Sequence, residues 1–238
     1  DGAKGRLLGP ISWKRIQIGR NPDATIIRKG NIDWFFSANK EGLLVHIVNG
    51  DISKIEIAAG KPSEPEETEA TKSEAPADIE LPVTLLIDRF YIGETAIRPH
   101  SSVSKADQAA PSKTEIWQSL ELAAAWHNYR LDIAKLEIER SDLQASLKGD
   151  LETIAQWPLN LQLQADVDLS KHLPEQRLRQ KIDLNIGGTI QDISTVLNLE
   201  GAANGALSAK VQAFADEGLS AQANFDLRAK SLEQWQEG

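Results

Sequence analysis

The sequence predicts a mostly β protein built from antiparallel sheet, and three observations support this class. Apolar and polar residues alternate in several segments, most regularly over residues 159–169. Glycine-containing turn formers recur between such segments. No segment approaches the ~18 apolar residues that a membrane-spanning helix needs. Because each strong strand has one apolar and one polar face, the sheet is expected to be wet on one side, which excludes a doubly wound α/β fold.

The strand over residues 159–169 has leucine, alanine or valine at every odd position and asparagine, glutamine or aspartate at every even position. At about 3.3 Å per residue it spans roughly 36 Å. The same alternation recurs in residues 182–190, 207–213 and 219–229, and more weakly in residues 32–36, 83–87 and 143–147. Residues 120–126 also have high helix propensity, but their alternation favours a strand.

Glycine, proline and capping residues predict further local features. Turns are expected at Asn49-Gly50, Lys148-Gly149-Asp150, Asn204-Gly205 and Glu217-Gly218. Gly187 and Gly188 lie inside an alternating segment, which indicates a bulge or close packing. Trp157-Pro158 is expected to anchor the start of the next strand. Residues 231–234 resemble a capping box and predict a short terminal helix.

Two polar segments divide the chain. Residues 60–79 form an acidic, proline-rich stretch with almost nothing apolar to bury, and they are predicted to be a flexible linker. Residues 98–115 are predicted to be a second flexible loop. The expected organisation is therefore a β-groove repeat at 1–59, the acidic linker at 60–79, a strand segment at 80–97, the loop at 98–115 and further β-groove repeats at 116–238.

Composition argues against several functional classes. The net charge is −9, and nucleic-acid binding would need clustered Lys and Arg. The chain has no cysteine, which excludes zinc–thiolate sites and fits an oxidising compartment. Its four histidines are widely spaced, and no nucleophile elbow or phosphate-binding loop occurs. We therefore expect neither an enzyme, nor a metal, nor a cofactor.

The apolar strand faces must be covered, and the sequence leaves four explanations open. These are a second sheet, a closed barrel, a curled sheet that faces itself, and a groove filled by lipid. The apolar residues are mainly Leu, Ile, Val and Ala, which suit a tightly packed core and a smooth groove lining alike. Periodicity alone does not choose among them.

Three segments carry a resemblance to a known family. A tryptophan-bearing strand around Trp126 precedes a Leu-x-Gly-x-Leu strand at residues 147–151, and Trp157-Pro158-Leu159 follows as an aromatic-Pro-Leu start of a strand. Upstream, a strand cluster at residues 11–57 and a Pro/Glu-rich insertion come before a strand at residues 81–93. Residues 188–201 continue the same style. Over residues 10–230 the chain resembles the TamB branch of the AsmA-like family.

The resemblance implies an elongated antiparallel sheet curled into a taco-like groove with an apolar interior and a few short helices. It also implies a periplasmic body anchored in the inner membrane of a Gram-negative bacterium. Since the chain has no methionine, Asp1 is not a natural start, and any anchor is expected upstream. An Omp85-type outer-membrane partner, TamA-like, is expected to contact regions outside this segment.

The implied function is shielding of phospholipid acyl chains during transport between the two membranes, together with support of outer-membrane protein assembly. The alternative is a chaperone-like module that binds unfolded outer-membrane strands by β-augmentation without conducting lipid. A β-solenoid adhesin ranks last, because the repeat spacing is irregular. An excised piece of such a groove is expected to self-associate. The predicted groove lining consists of Leu159, Leu161, Leu163, Val167, Leu184, Ile186, Leu207, Val211 and Phe225.

Overall fold

The computed structural model describes residues 4–5, 9–20, 24–39, 42–58, 77–98, 114–171, 178–215 and 218–229. Within these ranges a single sheet of thirteen strands follows the order of the chain. The strands are β1 (Lys4–Gly5), β2 (Ile11–Ile18), β3 (Thr25–Asn39), β4 (Gly42–Ala58), β5 (Leu81–Arg98), β6 (Glu115–Asn128), β7 (Arg130–Arg140), β8 (Leu143–Glu152), β9 (Pro158–Asp168), β10 (Arg179–Thr189), β11 (Asp192–Gly201), β12 (Ala203–Ala215) and β13 (Gly218–Ala229). The only helical turn in the described part is a 3₁₀ turn at Leu169–Lys171. The predicted fold class, a long curled β-sheet, is confirmed.

The strands expected from strict alternation are present as β9, β10, β12 and β13, and the ambiguous residues 120–126 lie in strand β6. Pro158 begins β9, as the aromatic-Pro motif predicts. Most of both predicted linkers and the predicted terminal helix fall outside the described residues. Of the predicted Glu217-Gly218 turn only Gly218 is described, where it begins β13. The strands that flank each predicted linker pair with one another in the same sheet.

Three of the predicted turns are wrong. Asn49-Gly50, Lys148-Gly149-Asp150 and Asn204-Gly205 all lie inside strands, in β4, β8 and β12. A Cβ at Gly149 would lie 2.0 Å from the backbone oxygen of Asn160 on β9, and the φ of Gly149 is +142°. Glycine is required there because the neighbouring strand approaches closely, and no reversal of the chain is involved.

One pair of strands departs from the predicted antiparallel pattern. β4 and β5 pair in parallel, from Leu43 opposite Val83 to Ala58 opposite Arg98. Parallel neighbours need a crossover connection, whereas antiparallel ones are joined by a tight turn. The connection between Ala58 and Leu81 must therefore return along roughly 50 Å of paired strand, at about 3.3 Å per residue.

In the first half of the sheet, the irregularities of strand pairing lie at one level in neighbouring strands. β4 and β5 interrupt their pairing between Ile47 and Gly50 and between Ile87 and Phe90. Register shifts at the same level occur in the pairs β3–β4, β5–β6, β6–β7 and β7–β8. A β-bulge bends a strand and increases its local twist. Six neighbouring strands therefore share one crease, which contributes to the curl of the sheet.

The sheet is a single layer with little packed core. Extensive contacts join only neighbouring strands, and among the described residues no second sheet covers either face. The buried apolar residues of the described chain are Trp13, Ala24, Ile26, Ile52 and Ala96. A second covering sheet is thus excluded for this part of the chain, and no other described strand covers the apolar side of the sheet.

Candidate functional site

The register of the sheet creates a continuous apolar row that crosses twelve strands. Each residue of this central row is the direct partner of the next, and all of its members are apolar or glycine. From β2 to β13 the central row consists of Ile11, Ile32, Gly50, Phe90, Leu122, Leu136, Leu147, Leu163, Leu184, Leu197, Leu207 and Phe225. Directly paired side chains share one face. The apolar faces of the separate strands therefore merge into one surface, here called the apolar face.

Three further rows widen this face. The row through Ala165 runs from Trp13 to Leu227, next to the central row. On the other side lie the rows through Leu161 and Leu159, which extend from β3 to β13. Thr195 is the only polar residue in the four rows. The apolar face is therefore four residues deep and spans nearly the whole described sheet.

Aromatic rings cover the glycines at the start of the rows. A Cβ at Gly50 would lie 2.3 Å from Cδ2 of Phe90, and one at Gly30 would lie 2.0 Å from Cζ2 of Trp13. In each case the ring of the paired residue on the next strand occupies the space above the glycine. The ring replaces the missing side chain, so that the apolar surface continues without a gap.

Eight of the nine residues predicted to line a groove lie in the four apolar rows, and Val167 lies on the same side of the sheet. Four of them belong to the central row, and the others, apart from Val167, belong to the rows through Leu159 and Leu161. Val167 lies beyond the row through Ala165, opposite Gln180. Most of the nine are half-buried, whereas Phe225 on the edge strand β13 is 72% exposed. Pairing establishes this common face, and a role in lining a lipid path stays a prediction.

Polar side chains bound the apolar face next to Val167. Gln180 is buried, and its side-chain amide exchanges hydrogen bonds of 2.8 and 3.1 Å with the backbone of Ala203. Arg140 donates a 2.7 Å hydrogen bond to Asp142 and lies over the ring of Trp117. The hydrogen bond to Asp142 raises the pKa of the Arg140 guanidinium above its usual value. The hydrogen-bonded side chains of Gln180, Arg140 and Asp142 therefore bound this end of the face.

At the opposite end, Thr153 ties the start of β5 to two turns. Its side chain is buried, at 2% exposure. The Thr153 hydroxyl donates to the carbonyl oxygen of Ile79, and the Thr153 backbone amide donates to Tyr129 at 2.7 Å. The amide of Ile79 donates back to the Thr153 carbonyl at 2.8 Å, and the Ala155 amide donates to Asp78. These bonds run across the ends of β6, β7 and β8 and fix that margin of the sheet.

The opposite surface, here called the polar face, carries most of the charged residues. A recess of about 690 Å³ lies on it, between β7 and β11, where Ser146, Gln164, Asp183 and Asn198 pair side by side. Ion pairs such as Lys135 with Glu121 at 3.3 Å cross between neighbouring strands. The recess is a gap between polar side chains, whereas the apolar face is a continuous apolar surface across the strands.

Other kinds of site were sought in the described residues. They contain no group of three or more histidines or carboxylates placed to hold a metal ion. None of their helical segments has the length and apolar character required to cross a membrane. The apolar face is thus the most extensive feature with a chemical character of its own.

The predicted lining omitted the parts of the apolar face that lie on β2 to β8 and on β11. In β4 and β5, apolar residues of the face are spaced by three positions at the crease, as between Ile47 and Gly50 and between Ile87 and Phe90. Each spacing of three residues shifts the alternation by one position, so a pattern of period two cannot be followed across it. The detectable signal was a shift of the alternation by one residue within an otherwise apolar segment.

Comparison with known proteins agrees with this architecture. A family model described as TamB, N-terminal domain, matches residues 101–233, more than half of the chain. Searches of curated proteins and of solved structures return no match. The matched region includes β6 to β13, and the apolar rows continue from it into β5, β4 and β3. The resemblance seen in the sequence is confirmed, and the chain belongs to the TamB family.

Proposed function

We propose that this chain shields phospholipid acyl chains along its apolar face as they pass between the inner and outer membranes. The observation that carries the proposal is the set of four adjacent apolar rows, which cross the strands without a charged residue. A phospholipid tail in water costs about 0.8 kcal/mol for each exposed CH₂ group. A continuous apolar surface lowers this cost at every point along its length and requires no specific polar contact.

The direction of the rows supports transport along the sheet. Neighbouring strands lie about 4.8 Å apart, so a row across twelve strands extends for roughly 50 Å. The tails would lie against side chains of successive strands, while charged headgroups remain in water beyond the margins. The satisfied polar margins at Gln180 and Thr153 are compatible with this orientation.

The wider setting belongs to the same proposal. We place the chain in the periplasm of a Gram-negative bacterium, as part of a longer protein that is anchored in the inner membrane. Support of outer-membrane protein assembly would involve a TamA-like partner that contacts other regions of that protein. The proposal assigns no catalytic step, cofactor or metal to this chain.

The central row offers a direct test. Leu163→Lys places a charge in the middle of the row, where it would have to be buried against acyl chains. Lipid that copurifies with the chain should be extracted and measured by mass spectrometry. We expect the bound phospholipid to fall by about tenfold, which corresponds to about 1.4 kcal/mol.

Gln164→Lys is the matched control, because Gln164 is the next residue and faces the polar side of the same strand. It should leave the bound lipid unchanged, and circular dichroism should show that both variants are folded. Equal lipid content in the two variants, or no lipid bound to the unmodified chain, would contradict the proposal.

A further inference from the structure

Strands β2 and β3 carry a concentration of positive charge in a chain that is acidic overall. Residues 1–32 contain seven Lys or Arg and two Asp, whereas carboxylates outnumber Lys and Arg in the remainder, and the whole chain has a net charge of −9. Lys14 and Arg15 of β2 and Arg28 and Lys29 of β3, here called the basic cluster, are all exposed. Charge asymmetry of this kind is typical of chains that bind a polyanion or a membrane surface.

The pairing of β2 with β3 places these cations against one another. Arg15 lies directly opposite Arg28, and Lys14 and Lys29 lie at the next level along the same two strands. Like charges that face each other across strands destabilise a sheet, and only Arg28 is offset, by a 2.8 Å ion pair with Glu56. Lys29 also has a φ of +46°, a left-handed conformation that is unfavourable for a residue with a side chain. Two unfavourable features at one place indicate a functional constraint.

A like-charge pair elsewhere in the sheet is neutralised from within the chain. Glu121 lies opposite Glu137, and the Lys135 ammonium contacts their carboxylates at 3.3 and 3.1 Å. No such bridge joins Lys14 and Lys29, which form no ion pair within the part of the chain that the structure describes. The counter-charge for these two lysines is therefore expected to come from outside the described strands.

Apolar side chains are interleaved with these cations along β2. Ile16 is 37% exposed and Ile18 is 59% exposed. On the same strand, Ile11 and Trp13 begin two of the apolar rows. Nucleic-acid sites place stacking or hydrogen-bonding side chains among their cations, whereas contacts with a membrane surface combine Lys or Arg with exposed apolar side chains. The composition of β2 thus favours a phospholipid surface as the source of negative charge.

We propose that the basic cluster, together with Ile16 and Ile18, is a contact site for the surface of an anionic phospholipid bilayer. Lipid phosphates supply the counter-charge for Lys14 and Lys29, and the two isoleucines enter the boundary between headgroups and acyl chains. The contact does not require transport along the apolar face, so that either proposal can fail without the other.

Vesicle flotation at low salt tests this contact. The probes are vesicles of phosphatidylcholine and vesicles of equal parts phosphatidylcholine and phosphatidylglycerol. The unmodified chain should prefer the anionic vesicles, and the preference should disappear at about 1 M salt, where charges are screened. Lys14→Gln combined with Lys29→Gln should weaken binding to the anionic vesicles by about 25-fold, since each cation near such a surface contributes about fivefold.

Lys148→Gln combined with Lys181→Gln is the matched control, because it removes the same charge from exposed positions on β8 and β10. It should leave the preference within about twofold of the unmodified chain. Ile18→Gln should weaken binding to the anionic vesicles by about threefold. Val196→Gln changes a side chain that is 44% exposed on β11 and should leave this binding unchanged. Circular dichroism should show that all four variants are folded.

Three results would overturn the inference. Unchanged binding of the Lys14 and Lys29 variant to the anionic vesicles would show that the cluster makes no contact. Equal losses for the two lysine pairs would show that only the total charge matters. Tighter binding of a DNA oligonucleotide than of the anionic vesicles, lost in the same variant, would identify a nucleic-acid site instead. Phospholipid that copurifies with the chain should be unchanged in the Lys14 and Lys29 variant, which separates this contact from the apolar face.

Discussion

At the scale of single residues, Gly50 and Gly30 are constrained by the rings above them. Neither glycine has a positive φ, so other residues could adopt the same backbone conformation. The side chains of Phe90 and Trp13 nevertheless occupy the places where a Cβ would lie. At both sites the size of the residue is limited, while the backbone conformation is ordinary.

Gly50→Ala should therefore lower the free energy of unfolding by about 1–3 kcal/mol, because the added methyl group displaces the Phe90 ring. Gly187→Ala is the control, since a Cβ there would meet nothing closer than Ser194 Oγ at 3.9 Å. That variant should be neutral or slightly stabilising. Urea denaturation of both variants measures the difference, and similar losses would argue against steric exclusion by the ring.

Thr153→Val tests the hydrogen bonds at the margin of the sheet. The substitution keeps the shape of the side chain but removes the donor to the Ile79 carbonyl, at a cost of about 1–3 kcal/mol. Thr195→Val makes the same change on the apolar face, where the Thr195 hydroxyl has no hydrogen-bond partner among the described residues. Thermal unfolding should show a lower Tm for the first variant and an unchanged or higher Tm for the second. Equal shifts would contradict a specific role for the Thr153 hydroxyl.

At the scale of elements, strands β9, β10, β12 and β13 could be predicted because their alternation is unbroken, as in residues 159–169. Parts of β3, β5 and β6 were expected as well, but the continuation of the apolar face across the crease was not, because bulges change the spacing of apolar residues from two to three. The register that places Leu163 beside Leu184 depends on pairing between strands, which periodicity within one strand does not encode. Gly50 was taken for part of a turn because its ring partner, Phe90, is distant in the sequence.

Ion pairs join neighbouring strands, and the pair between β3 and β4 has a testable pH dependence. A 2.8 Å hydrogen bond from Arg28 lowers the pKa of Glu56 below its usual value. A lowered pKa in the folded state gives stability that is present above the ordinary Glu pKa of about 4.3 and is lost as the pH falls through the folded value.

Glu56→Gln should therefore reduce stability at pH 7 by less than about 1 kcal/mol, because Arg28 is half exposed. The difference from the unmodified chain should shrink towards about pH 3. Urea denaturation at both pH values measures it. Arg28→Gln should remove the same pH dependence, and a double variant that loses the sum of both effects would show that the residues act independently.

At the scale of the whole molecule, the apolar face determines how the isolated chain behaves. A contiguous open apolar surface of this extent promotes association, because burial against a second copy removes it from water. Phe225 on the edge strand is the most exposed large apolar residue in the part of the chain that the structure describes. Self-association should therefore increase with protein concentration and decrease when mild detergent covers the face.

Phe225→Lys should shift the sedimentation profile towards the monomer, because it places a charge at the exposed end of the central row. Val196→Lys, an exposed substitution on the polar face, should leave the profile unchanged. If the polar-face substitution dissociates the assemblies as well, or detergent has no effect, contacts outside the apolar face hold the copies together.

The apolar rows run across the strands, so their length depends on the number of hairpins in the sheet. Each antiparallel hairpin adds about 10 Å to the path and returns the backbone to the side from which it started. Removal of two consecutive strands, such as β10 and β11, would shorten the rows. It would place Leu163 of β9 beside Leu207 of β12, and these two strands would still be antiparallel. Removing one strand would reverse the direction of every strand after it. Length can therefore vary among relatives in steps of two strands without loss of continuity.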